Sequence, residues 1–162
     1  MRPLLTRESR ALLTHAAEQA RALHHHFIGT EHILLALLVD PTSLPAIALQ
    51  SQGVSADQIR SEVLRLVQPV PTPTTTSNLT LTPGAKKSLQ YAAIDASFTQ
   101  QKFLTPAHLL LGLLHEPDGV AGQALRNLGI QLLPLRNQLL KTRLAQLTLV
   151  ERIVRPLTMT TP

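Results

Sequence analysis

Phe27-Ile28-Gly29-Thr30-Glu31-His32-Ile33-Leu34-Leu35-Ala36-Leu37-Leu38 returns 76 residues later as Phe103-Leu104-Thr105-Pro106-Ala107-His108-Leu109-Leu110-Leu111-Gly112-Leu113-Leu114. Each version carries a helix-starting threonine, Thr30 or Thr105, and continues as an almost unbroken apolar run. Such a run suits a helix enclosed on all sides at the centre of a small bundle. The same offset holds outward in both directions. Leu5-Thr6 falls on Leu81-Thr82, Ala16-Ala17 on Ala92-Ala93, and Ala20 on Ala96. Pro41 falls on Pro117, Ala48-Leu49 on Ala124-Leu125, and Gly53 on Gly129, with no gap from residue 5 to residue 54. The chain is an internal duplication, and the two copies should share one fold.

Within each copy the spacing is helical. Thr6 caps a first helix to about Leu23, whose Leu12, Leu13, Ala16, Ala17 and Ala20 form one face. The central helix starts near Thr30, and Pro41 follows it. A third helix runs from about Ser43 to Gln52 and ends at Gly53, a residue that tolerates a left-handed cap. Ser55 opens a fourth, which carries Ile59, Val63, Leu64 and Val67. In the second copy Thr82-Pro83 and Thr105-Pro106 open helices with a cap and a first-turn proline, Gly129 closes the third, and the last spans about Leu132 to Leu147. No segment alternates apolar and polar residues long enough to suggest a strand. The expectation is an all-α fold of eight helices in two pseudo-symmetric four-helix repeats. The first repeat covers residues 1–67 and the second 79–147, together forming one compact domain. Residues 68–78, rich in Pro and Thr, read as an extended linker, and residues 148–162 as a tail that docks as an extended arm or stays loose.

Composition narrows the chemistry. The 162 residues include 44% hydrophobic and 15% charged side chains, so the chain can bury a core. Only three Phe, one Tyr and no Trp are present, and the core must therefore be aliphatic. With no cysteine there is no disulfide, thiolate metal site or thiol nucleophile, which fits a reducing cytoplasm. No apolar run reaches the roughly 20 residues a membrane-spanning helix needs. The net charge of +5 lies entirely in residues 77–162, where nine basic residues face four acidic ones. That excess reads as a solvated basic face. A nucleic-acid or anionic-surface binder using the second half is the runner-up function.

These residues resemble a known family. The Gly29-Thr30-Glu31-His32-Ile33-Leu34-Leu35 segment is similar to the "IGTEHILLGLL" motif of the Clp amino-terminal repeat. Leu81-Thr82-Pro83-Gly84-Ala85-Lys86-Lys87 is similar to its "TPRAKK" opening, and Thr105-Pro106-Ala107-His108-Leu109-Leu110-Leu111 to its "TPEHLLL" variant. Glu116-Pro117-Asp118-Gly119-Val120-Ala121 resembles the loop after the central helix. The likeness covers roughly residues 4–145. It implies the substrate- and adaptor-binding N-domain of ClpA- and ClpC-type unfoldases, a double repeat that binds proteins and does no catalysis. No GxxxxGK[ST] loop is present to cradle nucleotide phosphates. The expected function is non-catalytic binding of a Clp ATPase, adaptor or protein substrate, with no cofactor. Met1 and the unusual tail favour a separate protein over an excised N-domain.

The resemblance also implies candidate sites. In the family, the glutamate of the "GTEH" motif contacts the guanidinium of phosphoarginine. Gly29, Thr30 and Glu31 keep that motif, whereas the second copy has Ala107 in place of the carboxylate. The simpler role for Glu31 is to complement its helix dipole, worth about 0.3–1 kcal/mol. Leu5, Thr6, Leu81 and Thr82 are candidates to border a partner groove between the copies. His24-His25-His26 reads as a solvated helix end and not as a metal site, because adjacent histidines point in different directions. His32 and His108, at equivalent positions, suggest a structural role, with a ring nitrogen bonding a backbone group in the next helix.

Overall fold

A computed structural model describes the backbone for residues 3–68, 70–71 and 78–158, and side chains as far as Leu149. In chain order the elements are β1 (Leu4–Leu5), α1 (Arg7–Ala22), β2 (Phe27–Ile28), α2 (Thr30–Leu37), α3 (Leu44–Ser51) and α4 (Ala56–Leu66). The second copy supplies β3 (Thr80–Leu81), α5 (Pro83–Phe98), β4 (Phe103–Leu104), α6 (Pro106–His115), α7 (Val120–Asn127) and α8 (Leu132–Thr158). The eight helices and their duplication are as the sequence implied.

The caps repeat with the sequence. Thr6 Oγ1 accepts from Ser9 N at 3.1 Å, and Thr82 Oγ1 accepts from Ala85 N at 3.1 Å. Ser43 and Ser55 cap α3 and α4 in the same way, each satisfying an amide that the first turn leaves unpaired. Gly53 and Gly129 both take φ +83° and end α3 and α7. His24 (φ 58°) and Gln100 (φ 55°) occupy equivalent left-handed positions after α1 and α5.

Two features were not legible in the pattern. First, the loop before each central helix forms a two-residue parallel bridge with the other repeat: Leu4–Leu5 with Phe103–Leu104, and Phe27–Ile28 with Thr80–Leu81. The exchange is reciprocal, as a pseudo-two-fold axis requires. Second, the outer helices cross over. α4 packs on α7, and α3 on α8, while α2 and α6 meet at the centre. The halves therefore interlock.

The core is aliphatic. Leu34, Ile33, Leu49, Ile59, Leu109, Leu110, Leu113, Leu125 and Leu135 are fully buried, and Phe27, Phe98 and Phe103 all lie at the surface. Small residues let the helices approach closely. Gly112 on α6 sits against the Ser88 carbonyl of α5, where an added Cβ would also lie 2.9 Å from the Ala92 methyl.

Helix α8 corrects the expected C-terminal boundary. It continues past Leu147 to Thr158, so residues 148–158 are helical instead of an extended arm; residues 159–162 lie outside the described residues. Most of the expected linker also lies outside them. Its beginning is tied down: Val70 N donates to the Leu23 carbonyl at 3.1 Å, and His24 Nδ1–H donates to the Val70 carbonyl at 2.8 Å.

Candidate functional site

Two concavities flank the central helices. The smaller, about 480 Å³, lies where the N-termini of α2, α5 and α7 converge. It brings together Gly29, Thr30 and Glu31 with Thr82, Gly84 and Lys87 of α5 and with Glu116, Asp118 and Gly119 of the α6–α7 loop. Thr30 Oγ1 accepts from Ala121 N at 3.2 Å. It thereby caps α7, whose own N-cap residue, Gly119, has no side chain to do so. The Glu31 side chain folds back over Gly29, where a Cβ would collide with it.

Glu31 is only 5% exposed. Burial raises its pKa above the ordinary carboxylate value, opposed by its own backbone amide and by His25. Glu116, absent from the sequence-derived candidates, is 2% exposed. Its Oε1 accepts weakly from Asp118 N at 3.4 Å, and its Oε2 has no hydrogen-bond partner among the described residues. A buried carboxylate oxygen without a donor costs roughly 1–3 kcal/mol, so this cleft is polarised toward a ligand carrying N–H groups.

Behind Glu31 runs a chain of imidazoles. His32 Nδ1 accepts from Gly29 N at 2.8 Å, as His108 Nδ1 accepts from Thr105 N at 3.1 Å. Each ring thus caps the start of its own helix; the expected bond to the next helix is not made. Because Gly29 N–H can only donate, the His32 proton sits on Nε2. Nε2–H then donates to His25 Nδ1 at 2.9 Å, and His25 Nε2–H to the Gln68 carbonyl at 3.3 Å. His25 is buried, stacked on Phe27 at 5.4 Å. That corrects the reading of all three adjacent histidines as solvated: the left-handed turn at His24 swings His25 inward. The ligand atoms of His25, Glu31 and His32 lie within 4.8 Å of one another. In this tautomer chain the two facing nitrogens share one proton, and neither offers a lone pair to a cation. Burial first, and then His25, hold the His32 pKa down at about 4. The 3.6 Å approach of Glu31 to His32 is therefore a contact with a neutral ring.

The larger concavity, about 820 Å³, is a groove between repeats. Leu12, Ala36, Leu37, Leu44, Leu111, Leu139, Leu140 and Leu147 supply its apolar walls from α1, α2, α3, α6 and α8, with Val39 from the α2–α3 connection. The Asp95–Arg136 ion pair sits within it, with Asp95 buried, and Arg143 and Glu8 mark the rim. The sequence-derived groove candidates lie elsewhere. Leu5 and Leu81 are in the bridges and pack on the core, Thr6 caps α1, and Thr82 reaches the small cleft. No helix among the described residues is long and apolar enough to cross a membrane.

An interlocked double repeat of four helices each, with a polar cleft at converging helix starts and an apolar groove, defines the class. The model of the Clp repeat (R) N-terminal domain matches residues 4–128 and 85–151. The chain belongs to this family. It is 38% identical over 126 residues to the ATP-dependent Clp protease ATP-binding subunit ClpA homolog of Cyanidium caldarium, covering 78% of this chain and 15% of that protein. The chain spans about one sixth of the length of such curated relatives. Among solved structures, the N-terminal domain of ClpD from Arabidopsis thaliana superposes with a TM-score of 0.65 at 22% identity, over 87% of this chain and 94% of that one. A complex of the ClpV N-domain with a VipB peptide superposes with a TM-score of 0.59 at 23% identity, over 70% and 69% of the two chains. These two likenesses show the shared fold.

Proposed function

We propose that the chain is a non-catalytic protein-binding module of the Clp system, presenting substrates or adaptors to a Clp ATPase or regulating it. The observation that carries this reading is the groove: a concavity of about 820 Å³ with aliphatic walls between the repeats. Asp95, the buried charge within it, is already paired with Arg136, and the remaining charges, such as Glu8 and Arg143, lie beside aliphatic walls. Membership of the Clp N-domain family supports the reading, and the ClpV N-domain, a relative in fold, is known in complex with a peptide. Affinity capture with purified Clp ATPase, with Clp adaptors and with an unfolded model substrate tests it. Saturable binding of at least one, lost on Val39→Asp at the groove wall, is expected. Absence of binding to all three would contradict the proposal.

The finer reading concerns the cleft at Glu31. A phosphoarginine side chain would place its guanidinium against the Glu31 and Glu116 carboxylates and its phosphate toward Lys87. Paired N–H donors match paired carboxylate oxygens, and Glu116 Oε2 has no other donor among the described residues. Ala107 leaves the second copy without the equivalent carboxylate, so one site is proposed. Calorimetric titration with free phosphoarginine should give heat on the unaltered chain and none on Glu31→Ala; equal heats would remove the site.

A further inference from the structure

Helix α8 has a second apolar face that no part of the described protein covers. Leu135 and Leu139 anchor it to the bundle, whereas Leu133, Leu140, Leu144 and Leu147 are each more than half exposed. At about 100° per residue these four fall within an arc of about 60°, centred about 130° from the anchored side. Their spacing of seven, four and three residues is that of a coiled-coil seam whose intervening position is Asn137, and a stripe this narrow suits a partner helix better than a lipid surface. Leu140 and Leu147 border the groove, but Leu133 and Leu144 do not line it. The stripe therefore extends beyond the proposed protein-binding groove.

The flanks identify the occupant. If the leucines take the seam positions, Lys141 and Arg143 fall on the two flanking rows together with Arg136, which Asp95 already pairs, and no acidic residue does so among residues 132–149. Flanking charges set partner choice in such pairings. A second copy would bring like charges together, so self-pairing is disfavoured. We propose that α8 is a docking helix for an amphipathic helix of a partner protein whose own leucine seam is flanked by glutamate or aspartate. This face shares Leu140, Leu147 and Arg143 with the groove, extends beyond it through Leu133, Lys141 and Leu144, and is separate from the Glu31 cleft.

The test uses the full chain and two labelled 28-residue synthetic helices. Both carry leucine at the seam positions; one has glutamate and the other lysine in the flanking rows. Fluorescence anisotropy should show the glutamate helix binding at least 10-fold more tightly than the lysine helix. Leu133→Glu combined with Leu144→Glu, both at exposed sites, should weaken that binding at least 10-fold with an unchanged melting temperature. Lys141→Glu combined with Arg143→Glu should shift the preference toward the lysine helix, an arm that does not depend on the leucine variant folding. Equal binding of the two helices, or no effect of either double variant, would overturn the proposal. So would self-association in sedimentation, or capture by phosphatidylserine vesicles in preference to the glutamate helix, if the leucine variant abolished it.

Discussion

The Thr30 hydroxyl of one repeat caps helix α7 of the other by accepting from Ala121 N at 3.2 Å. The motif that lines the small cleft is thus also a bolt between the halves. Thr30→Val keeps the volume and removes the acceptor, leaving a buried amide unpaired. It should cost about 1–2 kcal/mol. The melting temperature should drop by about 2–6 °C, with Thr30→Ser close to the unaltered chain. Differential scanning calorimetry of the three proteins checks this; equal melting for the valine form would mean that the bond contributes nothing.

The imidazole chain makes stability depend on pH. His32 is neutral in the folded protein down to about pH 4, whereas in the unfolded chain it takes up a proton near 6.5. The unfolded state therefore binds more protons between these values, and stability falls as pH drops from about 6.5 towards 4. His108, lowered chiefly by burial, acts in the same sense. Glu31, whose pKa is raised, acts in the opposite sense: its contribution is full below the ordinary carboxylate value and is lost as pH rises through the folded value. Ring-proton NMR should find His32 titrating well below an ordinary histidine. A midpoint near 6.5 would contradict the tautomer chain.

Gly112 allows α6 to touch α5. Gly112→Ala puts a methyl against the Ser88 carbonyl and the Ala92 side chain, both held in helix α5. Overpacking of this kind should cost about 1–3 kcal/mol, read as a lower denaturation midpoint in urea at an unchanged slope. An unaltered midpoint would show that the crossing is looser than described.

The parts of the fold legible in advance were local or repeated. Thr6, Ser43, Ser55 and Thr82 announce helix starts because a cap acts within one turn, and Gly53 and Gly129 announce the ends for the same reason. The crossover of α3 onto α8 and α4 onto α7 leaves no such mark, since an apolar face does not say which neighbour will cover it. The two-residue bridges are too short for an alternating pattern to register. At the sites, Gly29, Thr30 and Glu31 were legible through their motif. The burial of His25 was not, because it depends on the left-handed turn at His24 and on Gln68, 43 residues away. Glu116 ends α6, and nothing in its local sequence marks a carboxylate that the fold will bury. The groove walls come from five helices, and no single stretch displays them.

The groove separates a protein-binding account from one based on charge. Val39 is about half exposed on its wall, so Val39→Asp should leave the melting temperature within about 1 °C. The same change should weaken binding of an apolar unfolded polypeptide at least several-fold. Raising salt from 50 to 200 mM should barely alter that binding, whereas contacts to nucleic-acid phosphates would lose affinity steeply over this range.

The most direct measurement is methyl NMR of leucine-labelled protein during titration with an unfolded apolar polypeptide. The account predicts saturable shifts at Leu12, Leu37, Leu44, Leu111 and Leu139, the leucines that meet in the groove from five helices. Shifts confined to leucines outside the groove, or no shifts at saturating polypeptide, would contradict it.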